Sequence, residues 1–156
     1  MNSITNLSQL SKLVKSIRSR GKTIVLVGGC FDILHLGHVV FLEKAKTLGE
    51  VLIVLLESDE RIKKIKGQGR PFYTQKERAK VLSAVKYVDF IVLLPTLKAD
   101  EEYDGLVTRI KPDFIAATRG DQEIGHKQRV AKLVRAKIKF VTGKIGNYST
   151  SRILQK

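Results

Sequence analysis

Five short apolar runs fix the kind of fold open to this chain: Thr23 to Val27, Val51 to Leu56, Phe90 to Leu94, Phe114 to Ala117 and Ile138 to Thr142. A continuous run of this length is too short for a helix. It is what a strand looks like when both of its faces are covered. Stretches with helical spacing lie between the runs. Phe41, Leu42, Ala45 and Leu48 form one. Val81, Leu82 and Val85 form another, behind the capping-box pattern Thr74-Gln75-Lys76-Glu77. Tyr103 to Ile110 and His126 to Ala136 complete the set, and Ser149 to Gln155 forms a short final helix. Strands alternating with helices predict an α/β fold with a doubly wound parallel sheet of five strands and helices on both faces.

The 156 residues suit one domain. Leu7, Leu10, Val14 and Ile17 recur at helical spacing, which predicts an amphipathic N-terminal helix over 1–21, ahead of a main domain over 22–156. No apolar run nears the roughly 20 residues that span a bilayer, and the first residues lack the charged start and apolar core of a signal peptide. The cytoplasm is therefore the expected compartment. One cysteine, Cys30, excludes an internal disulfide and a multi-cysteine zinc site, and it reads as a small packing residue rather than a nucleophile.

Twenty-nine basic against 15 acidic side chains give a net charge of +14, which predicts an anionic partner. Eight of the basic residues lie between Arg61 and Lys80. Nucleic acid is one such partner, but the chain has no tryptophan and only 6% aromatic residues, so no base-stacking platform is evident.

The chemistry concentrates in Gly29-Cys30-Phe31-Asp32-Ile33-Leu34-His35-Leu36-Gly37-His38, where the first buried strand turns into a helix. Glycines let backbone amides approach phosphate oxygens, and a helix start offers free N–H groups and a positive dipole end. Gly29, Cys30, Phe31 and Gly37 are thus expected to border a nucleotide, with His35 and His38 donating to charge that builds on phosphorus. A zinc site from His35, His38 and Asp32 is disfavoured by their close spacing across one turn, and no metal-ligating residues are assigned. The basic loop Lys66-Gly67-Gln68-Gly69-Arg70-Pro71 offers Lys66, then Lys64, as phosphate ligands. Ser149, Thr150 and Ser151 open the last helix with hydroxyls and free amides suited to a triphosphate. His126 reads as a surface helix residue.

The decapeptide ending in His35-Leu36-Gly37-His38 resembles the HxGH signature of the cytidylyltransferase-like nucleotidyltransferases, which have Rossmann-like folds. Tyr148-Ser149-Thr150-Ser151-Arg152 resembles their second signature. Arg20-Gly21-Lys22 and the Lys66–Pro71 loop are most similar to the adenylyltransferase domain of bacterial heptose-1-phosphate adenylyltransferases. The likeness covers roughly residues 22–156. It departs from those relatives at Gly28, where they usually carry Asn, and at Thr118-Arg119-Gly120-Asp121, where they carry Lys-Gly-Gly-Asp. The resemblance implies transfer of AMP from ATP, or of CMP from CTP, to a phosphorylated acceptor such as a sugar 1-phosphate, with release of pyrophosphate. It places Lys66 and Lys64 on the acceptor phosphate, and Arg78, Arg119 and Asp121 on the nucleotide. Asp32 would lie on the substrate side, in support of a Mg²⁺ that bridges phosphate oxygens. It also implies a homodimer, for which the N-terminal helix offers an apolar surface. Glycerol-3-phosphate cytidylyltransferases and FMN adenylyltransferases share some of these elements and remain alternatives. So does a basic nucleic-acid-binding protein on a degenerate transferase scaffold.

Overall fold

The computed structural model describes residues 3–155. Its element order is β1 (Ser3–Thr5), α1 (Leu7–Ser19), β2 (Ile24–Gly29), α2 (Leu36–Lys46), β3 (Val51–Leu56), α3 (Asp59–Lys66) and α4 (Gln75–Leu82). There follow β4 (Phe90–Leu93), α5 (Asp100–Ile110), β5 (Phe114–Thr118), α6 (Ile124–Val134), β6 (Lys137–Thr142) and α7 (Thr150–Leu154). The strands pair in the order β1-β4-β3-β2-β5-β6, all parallel.

The apolar runs are continuous because both faces of the sheet are covered. Along β2, Ile24 and Leu26 pack with Leu10, Val14 and Ile17 of α1, with Leu106, Val107 and Ile110 of α5, and with Val130 of α6. The residues between them, Val25 and Val27, pack the other way, with Leu42 and Ala45 of α2 and Ala79 and Leu82 of α4. Strand β3 repeats the division and is buried from Val51 to Leu56. The expected capping box forms: Thr74 accepts from the Glu77 amide and Glu77 accepts from the Thr74 amide.

The first twenty residues differ from the expectation. The sheet has six strands, not five, because Ser3–Thr5 adds β1 beside β4. Three residues are too few to show a strand period in sequence, and only the pairing with Phe90 to Val92 defines them. The helix expected over 1–21 runs from Leu7 to Ser19, capped by Asn6, which accepts from the Ser8 amide at 3.1 Å. Its apolar stripe is spent on this chain's own core rather than left for a dimer partner. Met1 and Asn2 of that expected helix lie outside the described residues. Among the described residues, no helix is long and apolar enough to cross a membrane.

In a parallel sheet, ligands bind beyond the C-terminal strand ends, where the winding direction reverses. Here the chain winds outward from β2 through β3 to β4, then returns to β5 on the opposite side of β2. That reversal sits at the end of β2, where the paired histidines begin.

Candidate active site

A cleft of about 790 Å³ opens over the C-terminal ends of β2, β3, β5 and β6. Its floor is Gly28, Gly29, Cys30 and Phe31, and the histidine turn forms one wall. Phe31 adopts a left-handed conformation with φ 44°. This directs its ring into the core, 6% exposed, and against His38 at 5.1 Å between centroids.

His35 is the N-cap residue of α2, but its side chain makes no capping hydrogen bond. The first turn of α2 therefore keeps amides for another partner. The His35 and His38 rings stack, with centroids 3.8 Å apart and planes 21° from parallel. Gly37 makes this possible, since a Cβ there would lie 3.0 Å from His35 Cε1. Burial lowers the pKa of both rings. For His38 burial and then the neighbouring His35 bring it to about 4, against a backbone contact with Ile33 that raises it. Both are thus neutral at pH 7. Nδ1 of each ring is buried with no hydrogen-bond partner among the described residues. Such atoms carry a desolvation cost that a bound ligand can relieve.

The other expected residues divide into those that reach the cleft and those that do not. Lys66, Arg119 and Asp121 line it. Asp121 is held by an ion pair with Lys127 and accepts from the Glu123 amide at 2.9 Å. Lys64 does not line it. Residues two apart on a helix point about 200° away from each other, so α3 can aim only one of the two lysines inward.

Arg78 corrects a second expectation. Its side chain is fully buried and is committed to Tyr73 O (3.1 Å), Cys30 O (2.5 Å), Glu57 O (2.8 Å) and Asp59 Oδ1 (2.7 Å). It braces the floor of the cleft from beneath. Asp32 is likewise structural. It is 3% exposed and accepts from Arg70 Nε (2.6 Å), Phe72 N (2.8 Å) and Tyr73 N (3.2 Å), fixing the loop after α3.

The hydroxyls at the start of α7 lie beside the histidine turn rather than on the cleft wall. Ser149 accepts from the Arg152 amide at 3.2 Å. Thr150 donates to Ile33 O at 3.3 Å, and Ser151 accepts from Arg70 Nη1 at 3.2 Å. They tie α7 to the histidine turn and to the basic loop, while Lys144 and Tyr148 from the same segment line the cleft.

Sequence reading missed Glu57 and Tyr103, and it underrated His126. All three line the cleft. Glu57 directly follows the apolar run of β3, so its place at a strand's C-terminal end was a usable signal. Tyr103 and His126 come from helices and gave none. His126 is only partly exposed, pairs with Asp104 at 3.1 Å and packs on Tyr103 at 5.2 Å.

The cytidylyltransferase-like family model matches residues 26–156, which include the whole histidine turn and the final helix. The chain belongs to the cytidylyltransferase-like family of nucleotidyltransferases. Within it, the chain is 41% identical over 157 residues to the bifunctional protein HldE of Wolinella succinogenes, and 40% identical over 156 residues to that of Nitratiruptor sp.; each alignment covers 98% of this chain and 31% of the relative. The chain thus spans less than a third of these relatives' length. A solved lipopolysaccharide core biosynthesis protein from Thermoplasma volcanium aligns with a TM-score of 0.62 and 27% identity, over 83% of this chain and 100% of that one. The pantoate-beta-alanine ligase of Francisella tularensis shares the fold with a TM-score of 0.70 at 17% identity, over 100% of this chain and 73% of that one. The likeness read from the histidine and Lys66–Pro71 motifs is borne out by the HldE relatives, and the Rossmann-like fold by the solved structures.

Proposed function

We propose that this cytidylyltransferase-like chain transfers AMP from MgATP to the phosphate of a sugar 1-phosphate and releases pyrophosphate. The observation that carries the reading is the stacked, neutral His35–His38 pair at the uncapped start of α2, facing a cleft at the reversal point of the sheet. The HldE relatives, together with the resemblance to heptose-1-phosphate adenylyltransferase domains, favour adenylyl over cytidylyl transfer and a sugar 1-phosphate as acceptor.

An oxygen of the acceptor phosphate attacks the α-phosphorus. The new phosphoanhydride bond forms as the α–β bond breaks, and pyrophosphate departs with the electron pair. The acceptor phosphate is already anionic, so no base is needed. What is needed is alignment and neutralisation of charge. Each neutral imidazole donates one N–H to phosphate oxygens, and the free amides of α2 add to it. Lys66 holds the acceptor phosphate against its repulsion by the nucleotide. Arg119, Asp121 and Lys144 lie on the β5–β6 side, where the nucleoside fits.

A magnesium cage of protein side chains does not fit the residues present. No three His, Cys, Asp or Glu groups gather to hold a metal among the described residues, and Asp32 has its oxygens on Arg70, Phe72 and Tyr73. Magnesium belongs to this reading as part of the MgATP substrate.

The test is pyrophosphate release, with four nucleoside triphosphates set against sugar phosphates, glycerol 3-phosphate and FMN. ATP with a sugar 1-phosphate is expected to give the highest kcat/KM. Preference for CTP with glycerol 3-phosphate, or for ATP with FMN, would replace the substrate assignment. Tight RNA binding with no turnover on any pair would overturn the enzyme reading.

A further inference from the structure

Glu57 and Tyr103 are two polar groups on the cleft wall that the transfer chemistry leaves unused. Glu57 follows β3, and Tyr103 comes from the first part of α5. Both line the cleft, as do Arg61 and Lys66, with Glu57 at the end of β3 and Tyr103 over the end of β2, its ring 5.2 Å from that of His126. No hydrogen bond or ion pair engages the Glu57 carboxylate or the Tyr103 hydroxyl among the described residues. Asp32, Asp59, Asp104 and Asp121 each hold a basic partner, whereas Glu57, like Asp100 and Glu123 on the same cleft, holds none among the described residues. Burial raises the pKa of the Glu57 carboxyl, and burial followed by the charge of Glu57 raises that of the Tyr103 hydroxyl, so the two groups sense one another. Tyr103 Oη reaches directly over the end of β2. A Cβ at residue 28 would lie 2.7 Å from it, so Gly28 is what lets the hydroxyl enter the cleft.

We infer that Glu57 and Tyr103 form a hydroxyl-recognition subsite for the carbon chain of the acceptor. The inference rests on the transferase reading above and deepens it. A carboxylate accepts two hydrogen bonds from neighbouring hydroxyls, and a phenol both donates and accepts. Together they suit a vicinal diol on a polyhydroxylated phosphate ester. They do not suit a phosphate, which the carboxylate would repel. The phosphate belongs with Lys66 on the same cleft, so a single ligand with an anionic end and a hydroxylated body satisfies both.

The experiment compares the wild-type chain with Glu57→Gln, Glu57→Ala and Tyr103→Phe. Probes are MgATP and the 1-phosphates of six- and seven-carbon aldoses, each with its 2-deoxy counterpart. Both pyrophosphate release and calorimetric binding of the sugar phosphate are measured. Glu57→Ala is expected to raise the acceptor KM and Kd about ten- to a hundredfold, because a hydrogen bond to a charged group is lost, with Glu57→Gln intermediate; Tyr103→Phe loses a neutral hydrogen bond and is expected to raise them about three- to tenfold. The KM for ATP should stay within about twofold, and for the best aldose the deoxy probe should show a smaller penalty in the variants than in the wild type. An acceptor KM and Kd unchanged by all three variants overturns the subsite while leaving the transferase reading intact. A rise in ATP KM equal to that of the acceptor also overturns it, since the pair would then read the ribose. Sugar phosphate binding that is lost in the variants, with no turnover in the wild type, upholds the subsite and removes the transferase reading. Absence of both binding and turnover in the wild type overturns the two together. Circular dichroism melts of each variant separate these outcomes from loss of fold.

Discussion

The free energy stored in His38 is visible as a pH dependence. Its folded pKa of about 4 lies below the ordinary 6.5, so between those values the unfolded chain takes up a proton that the folded chain refuses. Stability is therefore full above about pH 6.5 and falls as the pH drops toward 4, by at most about 3 kcal/mol from this group. Urea melts from pH 7 to 4.5 should show that slope, and it should flatten in His38→Gln. An unchanged slope would place the acid sensitivity elsewhere. For catalysis, His38→Ala is expected to lower kcat by about 10²–10³, the usual loss for one preorganised donor, with folding retained. Gly37→Ala separates shape from stability. Alanine is the better helix former, worth up to about 1 kcal/mol, yet its Cβ would sit 3.0 Å from the His35 ring. The variant is expected to melt no lower than wild type and to turn over at least about tenfold more slowly. Normal turnover would show that the ring stack is not needed.

At the scale of elements, the site is a junction of loops braced from below. Arg78 holds three backbone carbonyls, from Cys30, Glu57 and Tyr73, that belong to three separate segments. Lysine has one head group and cannot serve that fan of acceptors. Arg78→Lys is expected to lose about 2 kcal/mol, at roughly 1 kcal/mol for each of two abandoned bonds, seen as a lower urea midpoint. A midpoint equal to wild type would show that these bonds add little to stability. Arg70 couples two further elements, since it bonds Asp32 on one side and Ser151 at α7 on the other. The basic loop and the last helix therefore share one guanidinium. Lys66 ends α3 next to that loop. Lys66→Ala is expected to raise the acceptor KM about tenfold or more while leaving that for ATP little changed, and equal effects on both would count against its role.

For the whole molecule, the decisive feature is that the sheet needs both helical layers. Removing residues 1–20 would strip Leu10, Val14 and Ile17, each 9% exposed or less, from one face of β2 and β3. At about 2 kcal/mol for each large apolar side chain, that approaches the total stability of a domain this size. The shortened chain is expected to be insoluble, or to bind a hydrophobic dye while showing no cooperative melt. A cooperative melt would mean that the remaining chain folds without the N-terminal helix. The net charge of +14 is read at this scale too. In the cleft Arg61, Lys66, Lys98, Arg119, Lys127 and Lys144 outnumber the acidic Glu57, Asp100, Asp121 and Glu123, which favours anionic ligands there.

The amino-acid sequence by itself determined the parallel α/β fold and the histidine turn. Apolar runs and a glycine-bearing His-x-Gly-His turn are local patterns, and local patterns are written in consecutive residues. It did not determine which polar side chains face the cleft. Arg78, Asp32 and Lys64 had the right chemistry and the wrong direction, while Glu57, Tyr103 and His126 reach the cleft from β3, α5 and α6. Direction depends on how helices seat on the sheet, and that seating is set by contacts between residues far apart in the chain. The edge strand Ser3–Thr5 was hidden for the same reason, because three residues become a strand only when a neighbour offers them its hydrogen bonds.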